Sequence, residues 1–152
     1  MKKEIISLLA AIDQTLPNMI EGHDKISVFA RSEWILGEEG KVFIRAGRRL
    51  LDPNGTELVK VVDMATIELY EEFQGKGLWS EILTTLEKHA ADKGRSLFVE
   101  NVFSEKIDGS LRRRGYNVKD ENGMPYSYWK GAEEIRADHK VERGKPKNRL
   151  TP

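Results

Sequence analysis

The apolar positions of this chain change period several times, and each change marks an element. Ile5, Leu8, Leu9, Ile12 and Leu16 recur at helical spacing in KKEIISLLAAIDQTLPNMI. They predict an amphipathic first helix. Pro17 is expected to stop it, because proline pushes the preceding residue out of helical geometry. Three β-rich runs follow, ISVFA, KVFIRAGRRLL and ELVKVVDMATIEL, separated by the turn-forming GEEG and DPNGT. They predict a short antiparallel meander whose last strand covers about 57–69.

Helical spacing returns at Leu78, Ile82 and Leu86, with Trp79, Leu83 and Ala90 beside them. Gly94 is placed to cap that helix. RSLFVENV reads as a buried strand over about 96–102, SEKIDGSLRRRG as a short helix closed by Gly115, and YNVKD and PYSYWK as strands around the turn ENGM. From Gly131 the chain is heavily charged; AEEIRADHKVER suits a short helix, and the last ten residues read as disordered. The order holds one βαβ unit (57–102) inside an otherwise antiparallel pattern. It predicts one mixed α/β (α+β) domain over 1–130, a mostly antiparallel sheet flanked by helices, with a flexible charged tail at 131–152.

Composition narrows the function classes. The 152 residues suffice for one hydrophobic core. Lys plus Arg equals Asp plus Glu at 25 each, so bulk charge gives no reason to expect nucleic acid or a membrane surface as partner. The absence of cysteine removes disulfides, thiolate zinc sites and a cysteine nucleophile. That usage fits a cytoplasmic protein. A secretory leader is not expected, since Asp13 interrupts the first apolar stretch and no small-residue cleavage site follows. No apolar run approaches the ~18–20 residues of a membrane span. His23, His89 and His139 show no metal-ligand spacing, so no metal is expected.

The chemistry concentrates in LYEEFQGKGLWS, where Gly75 and Gly77 lead into a helix. The first amides of a helix are unpaired donors with partial positive charge, and they bind phosphate oxygens without a basic side chain. Glycine lets the backbone approach closely and take positive φ; Lys76 adds a charge. A P-loop requires G-x-x-x-x-G-K-[ST], which is not present. A dinucleotide fingerprint comes closer, with Gly75-x-Gly77-x-x-Ser80 and Glu100 twenty residues further on. Against it, YEEFQ separates the strand from the first glycine, and the antiparallel flanks supply no second βαβ half.

The third reading is the pyrophosphate loop of an acyl-CoA site. Here the sequence resembles the GNAT superfamily of acyl-CoA-dependent N-acetyltransferases, whose signature is [QR]-x-x-G-x-[GA] between a long strand and a helix. Gln74, Gly75, Lys76, Gly77 and Leu78 fit its first five positions, and Trp79 departs at the sixth, where it either packs inward beneath the loop or obstructs the pyrophosphate. The element order over 26–130, about two-thirds of the chain, resembles the family core, with RRRGY at its glycine–aromatic pair. FVENVFSEKIDGSLRRRGY, with the bulky sixth loop residue, also looks like small acetyltransferases encoded by tailed phages.

The resemblance implies acetyl-CoA as co-substrate. It implies direct transfer of the acetyl group, in a ternary complex, to an amine of a protein or small molecule. It also implies that the backbone of Leu69, Tyr70 and Glu71 pairs with the pantetheine arm, and that Gln74 to Trp79 hold the pyrophosphate. The alternative is a non-catalytic member of the same fold that binds a macromolecular partner through its first helix or basic tail.

Amide formation sets three tasks. A lysine-like amine, with pKa near ~10.4, must lose a proton to attack, and a carboxylate or a water chain leading to one can take it. The thioester oxygen needs a donor, which backbone N–H at a splayed strand supplies. The thiolate, with pKa near ~8.5, leaves easily. Glu68, on the strand before the loop, is the first candidate base; alternation puts it on the face of Thr66 and Met64, opposite Ile67 and Leu69. Glu100, an acid ending an apolar run, is the second, because burying it requires a partner or a role. Asp63 is the third. The bland readings are a solvated strand carboxylate for Glu68 and an ion pair or cap for Glu100. The family's general-acid tyrosine falls at Leu111, leaving Tyr126 and Tyr128 as substitutes or packing residues. Arg112, Arg113 and Arg114 either contact CoA phosphates or an acidic partner, or form a solvated helix end. Arg45, Arg48 and Arg49 read as the exposed side of a strand.

Overall fold

The computed structural model describes residues 6–26, 28–51, 55–102, 105–119 and 126–144. Its elements run α1 (Ser7–Lys25), β1 (Arg31–Leu36), β2 (Gly40–Arg49), β3 (Val59–Leu69), a 3-10 turn (Glu71–Phe73), α2 (Leu78–Asp92), β4 (Ser96–Val102), α3 (Glu105–Arg113), β5 (Asn117–Lys119), β6 (Tyr126–Lys130) and α4 (Ala132–Gly144). The described strands form one sheet ordered β1-β2-β3-β4-β6-β5. Only β3 and β4 run parallel; the other neighbours are antiparallel. This is the mixed, mostly antiparallel sheet that the apolar pattern implies.

The layers are unequal. Buried residues of α1 (Leu8, Ile12, Leu16, Ile20), α2 (Ile82, Leu83, Leu86), α3 (Leu111) and α4 (Ile135) join Val42, Ile44, Val62, Met64, Leu97 and Val99 in one core. The helices therefore share one face of the sheet. The other face carries a smaller cluster of Leu51, Val61 and Phe98, flanked by Val59 and Trp129. This second, open face is exposed at Ser32, Trp34, Thr66 and Glu68 and covered at Val61, Asp63 and Phe98.

Two expectations fail at the start of the chain. Pro17 lies inside α1, which runs on to Lys25. The missing N–H and ring clash cost about 3 kcal/mol. Beyond the proline, Met19 and Ile20 are buried, and each contributes roughly 1.5–3 kcal/mol, so continuation wins. ISVFA is not the first strand either; β1 is RSEWIL. Pairing is counted back from the Gly37–Gly40 turn, with Leu36 opposite Lys41 and Arg31 opposite Ala46, and the Ile26, Val28 and Phe29 side chains are left exposed.

That turn also anchors α1. The buried Glu39 carboxylate accepts from the N–H groups of Ser7 (3.2 Å) and Leu8 (2.9 Å) and from the Ser7 hydroxyl (3.1 Å). It caps a helix 31 residues away in sequence from Leu8. At the other ends, Gly94 closes α2 with Gly94 N–H to Ala91 O (3.0 Å) and Arg95 N–H to Ala90 O (2.8 Å). Gly115 closes α3 in the same way, onto Arg112 and Leu111.

The charged segment after Gly131 forms α4 as far as residue 144, and α4 packs on α2. Buried Glu87 of α2 holds the junction, accepting from Arg114 (2.9 Å) and the Tyr116 hydroxyl (2.6 Å) and meeting His139 of α4 (3.0 Å). Residues 145–152 and the turn ENGM lie outside the described residues.

Candidate functional site

The site begins where two strands part. β3 and β4 pair from Val61–Ser96 to Met64–Val99 and no further. Beyond that, β3 continues to Leu69 against β2 alone, while β4 continues beside β6 with a register shift between Val99 and Val102. At the same point β3 carries an extra residue. Ile44 faces Met64 and Phe43 faces Thr66, leaving Ala65 unmatched.

The bulge corrects the expected facing of Glu68. Directly paired residues share a face, so Met64 and Ile67, opposite Ile44 and Val42, both point toward the helices. Thr66 and Glu68, opposite Phe43 and Lys41, point to the open face with Asp63, opposite Arg45. Simple alternation placed Met64 with Glu68; the extra residue separates them.

The end of β3 feeds the glycine loop. After the 3-10 turn, the Gln74 side-chain amide donates to Leu69 O (2.8 Å) and fixes the strand exit. Gly75 and Gly77 both take left-handed φ, +73° and +80°, a conformation glycine adopts without strain. A Cβ added at either would meet nothing within 4 Å, so their backbone faces open space. Gly77 is the N-cap of α2, and no side chain caps that end. The first amides of α2 are thus presented, uncapped, beside an exposed backbone turn.

A groove of about 690 Å³ lies over this loop. Its walls are Ile67, Glu68 and Leu69 of β3, the loop, the first turn of α2, and Lys106, Ile107, Ser110 and Arg113 of α3. Two cations from α3 thus border the uncapped amides. Lys106 escaped the sequence reading, and Arg113 entered it only within a triplet. Their signal is positional: residues 106, 110 and 113 share one helical face, legible once α3 is known to cross the loop. The other arginines are engaged elsewhere. Arg112 pairs with Asp108 (2.9 Å), and Arg114 binds Glu87, Ser80 Oγ (3.1 Å) and Thr84 Oγ1 (3.0 Å).

Trp79 is half-buried and packs against the core while bordering the groove. Its indole N–H is buried without a partner. The indole packs inward against the core and also forms part of the groove wall. Lys76, Tyr70 and Glu71 are exposed. Tyr70 N–H donates to Glu39 O (2.9 Å), and Leu69 O already accepts from Gln74.

The candidate acids divide sharply. Glu68 is exposed and 3.6 Å from Lys41. At about 3.3 Å per residue it stands roughly 13 Å past the parting point, beside the loop. Asp63 and Glu100 instead meet at the parting point, on the open face, with Arg45 and Arg49. Arg49 donates to Asp63 Oδ2 from Nε (2.9 Å) and Nη2 (2.7 Å) and also bonds Glu100 Oε1. Arg45 donates to Glu100 Oε2 (3.2 Å). Both Glu100 oxygens are occupied, whereas buried Asp63 Oδ1 has no partner. Burial pushes the Asp63 carboxyl up to about 6; the Arg49 charge opposes this and the Glu100 charge adds to it. Arg45 and Arg49 of the run read as merely exposed are therefore half of a four-residue charge cluster, while Arg48 is exposed.

Position 111 offers no general acid, because it is a leucine with no proton to give, and it is buried in the core. Tyr128 is buried on the helix side and its hydroxyl donates to Asp108; the Tyr126 side chain lies outside what is described. Each histidine has a structural partner: His23 with Arg95 (2.7 Å), His89 with Asp13 (2.6 Å) and His139 with Glu87. Burial, followed by the Arg95 charge, keeps His23 below its usual range. Among the described residues no cluster of His, Asp and Glu could hold a metal, and no helix is long and apolar enough to cross a membrane.

The sequence matches no protein-family model and no curated protein sequence. The structure does find matches. A mutant AtaT toxin bound to the C-terminus of the antitoxin AtaR superposes with a TM-score of 0.56 at 13% identity, over 85% of this chain and 82% of the toxin. The same mutant toxin bound to antitoxin and acetyl-CoA gives 0.53 at 13% identity, over 90% and 92%. AtaT in complex with acetyl-methionyl-tRNAfMet gives 0.51 at 12% identity, over 84% of each chain. The chain has the GNAT fold. Within that fold, the parting of β3 from β4, the glycine loop and the uncapped start of α2 form one continuous feature, and the Asp63–Glu100 cluster sits at its inner end.

Proposed function

We propose that the protein is an N-acetyltransferase that moves the acetyl group of acetyl-CoA directly to an amine of a protein or small molecule. One observation carries the reading: the uncapped, glycine-opened amides of α2 lie at the end of a strand that parts from its parallel neighbour. The pyrophosphate rests on the backbone of Gly75 to Trp79, with Lys106 and Arg113 balancing its charge. The pantetheine arm follows the gap between β3 and β4 and brings the thioester to the Met64–Val99 parting point. The amine attacks the thioester carbon, the C–S bond breaks, and CoA leaves as thiolate. Direct attack is what the resemblance to acyl-CoA-dependent N-acetyltransferases implies, and the chain offers no cysteine nucleophile as an alternative carrier.

The ammonium proton goes to the carboxylates at the parting point. Asp63 suits the task better than Glu100, since its Oδ1 is unpartnered and its affinity for a proton is raised. At 2% exposure it receives the proton through a water. Glu68 lines the cofactor groove, its distance from the thioester arguing against proton transfer. The matched AtaT structures with acetyl-CoA and with an acetylated methionyl-tRNA support the cofactor and the amide-forming chemistry.

Calorimetric titration with acetyl-CoA, CoA and NAD tests the reading. Both CoA species should bind and NAD should not. If neither CoA species binds at saturating concentration, the proposal fails. Binding without thiol release across a broad amine panel would instead favour the non-catalytic partner-binding alternative.

A further inference from the structure

The free edge of the sheet carries a pattern that the acyl-CoA site does not use. Of the seven large hydrophobic side chains exposed among the described residues, five fall between positions 26 and 36: Ile26, Val28, Phe29, Trp34 and Leu36. They precede β1 or lie within it, and among the described strands β1 has β2 as its single neighbour. The opposite edge, β5, has three described residues. β1 has six residues, all but Ile35 exposed, and no proline. An edge of that length and apolar content is a template for strand addition.

The charges on β1 say what adds to it. Arg31 and Glu33 lie on the helix face, opposite Ala46 and Ile44. Neither forms an ion pair among the described residues, although Lys41, Arg45 and Arg49 nearby all do. Opposite charges two residues apart on one face are self-complementary in an antiparallel pairing. We propose that β1 pairs antiparallel with β1 of a second copy of this chain, across a two-fold axis at Ser32, joining two six-stranded sheets.

The register follows from charge. A two-fold axis perpendicular to the sheet keeps faces matched, so only centres on a residue are allowed. A centre at Glu33 sets Glu33 against its own copy, and like charges directly opposite destabilise. A centre at Trp34 leaves Glu33 opposite the partner's Ile35. A centre at Ser32 sets Arg31 opposite the partner's Glu33, twice by symmetry. It also sets Ala30 opposite the partner's Trp34. As the strand lengthens, Phe29 and Val28 come alongside the partner's Ile35 and Leu36. The groove of about 500 Å³ between α1 and β1, lined by Gln14, Asn18, Arg31 and Glu33, then receives the paired charges.

Sedimentation equilibrium of the full chain, 17.4 kDa per copy, tests this with hydrogen exchange. The wild type should form a dimer, with amides of 28–36 gaining protection as concentration rises. Glu33→Arg should weaken dimerisation by more than about tenfold, because symmetry turns two attractive pairs into two repulsive ones. Arg31→Glu added to Glu33→Arg should restore it, which a folding defect would not allow. A monomer at every concentration, a dimer indifferent to Glu33→Arg, or protection confined to other segments would overturn the proposal. None of these readouts depends on CoA binding.

Discussion

Replacing Gly77 by glutamate tests the loop at its most specific point, provided that alanine is made beside it. Gly77 sits at φ +80°. Any L-residue there carries the left-handed penalty, roughly 1–2 kcal/mol. Steric terms add little, because a Cβ at this position meets nothing within 4 Å. Both variants should therefore lose the same stability. For a chain of this size, at ~2–4 °C per kcal/mol, the thermal midpoint should fall by about 2–8 °C in each.

Binding should separate them. Glutamate places a carboxylate where the pyrophosphate would rest. At about 4 Å, between the dielectric of water and that of a protein surface, one pair of like charges repels by ~1–4 kcal/mol. That is a loss of roughly fivefold to several-hundredfold in acetyl-CoA affinity, diminishing as salt is added. Alanine adds no charge and keeps the amides of Leu78, Trp79 and Ser80, so it should bind far better than glutamate at equal stability. Calorimetry at two ionic strengths, with thermal melts of both variants, makes the comparison. If Gly77→Glu binds acetyl-CoA as tightly as Gly77→Ala, the phosphates do not lie on this loop.

That loop was the most legible part of the chain, because its information is local: two glycines, a following helix face and a preceding strand. The Gly94 and Gly115 caps were legible for the same reason. What the sequence hid depends on partners. ISVFA has the apolar content of a strand, yet pairing is counted from the Gly37 turn and assigns β1 to RSEWIL. The alternation that put Glu68 with Met64 holds only in an unbulged strand, and the Ala65 bulge is defined by its mismatch with β2. Lys106 gains meaning from α3 crossing the loop. Glu39, an ordinary turn acid in sequence, becomes the cap of α1 through contacts more than thirty residues away. Asp63, ranked third as a base, rises because three strands bring Arg45, Arg49 and Glu100 around it.

These long-range contacts give the remaining predictions. Glu39→Gln keeps one acceptor for three donors and should cost about 1–2 kcal/mol in urea denaturation. Burial opposes ionisation of Glu39, but the Leu8 and Ser7 donors outweigh it and hold its pKa below 4.5; its contribution is present above that value and lost as pH falls through the lowered one. Glu87→Gln removes the ionic partner of Arg114, which keeps Ser80 and Thr84, and should cost up to about 3–5 kcal/mol, read in the same assay, with α4 gaining hydrogen exchange first. Asp63 runs the other way. Its folded pKa, about 6, lies above the ordinary 3.8, so between those values the folded state keeps a proton that the unfolded chain releases. Its contribution is fully present below the ordinary value and lost as pH rises through about 6. The stability of the wild type relative to Asp63→Asn should therefore decline across that window, and a relative stability that rises there would show that Arg49 and Arg45 dominate burial. If the same carboxyl receives the amine proton, the acetylation rate should climb with an apparent pKa near 6 and lose that limb in Asp63→Asn. An unchanged limb would move the base elsewhere even where the stability slope behaves as expected, because the slope reports only burial and the rate reports contact with the reaction.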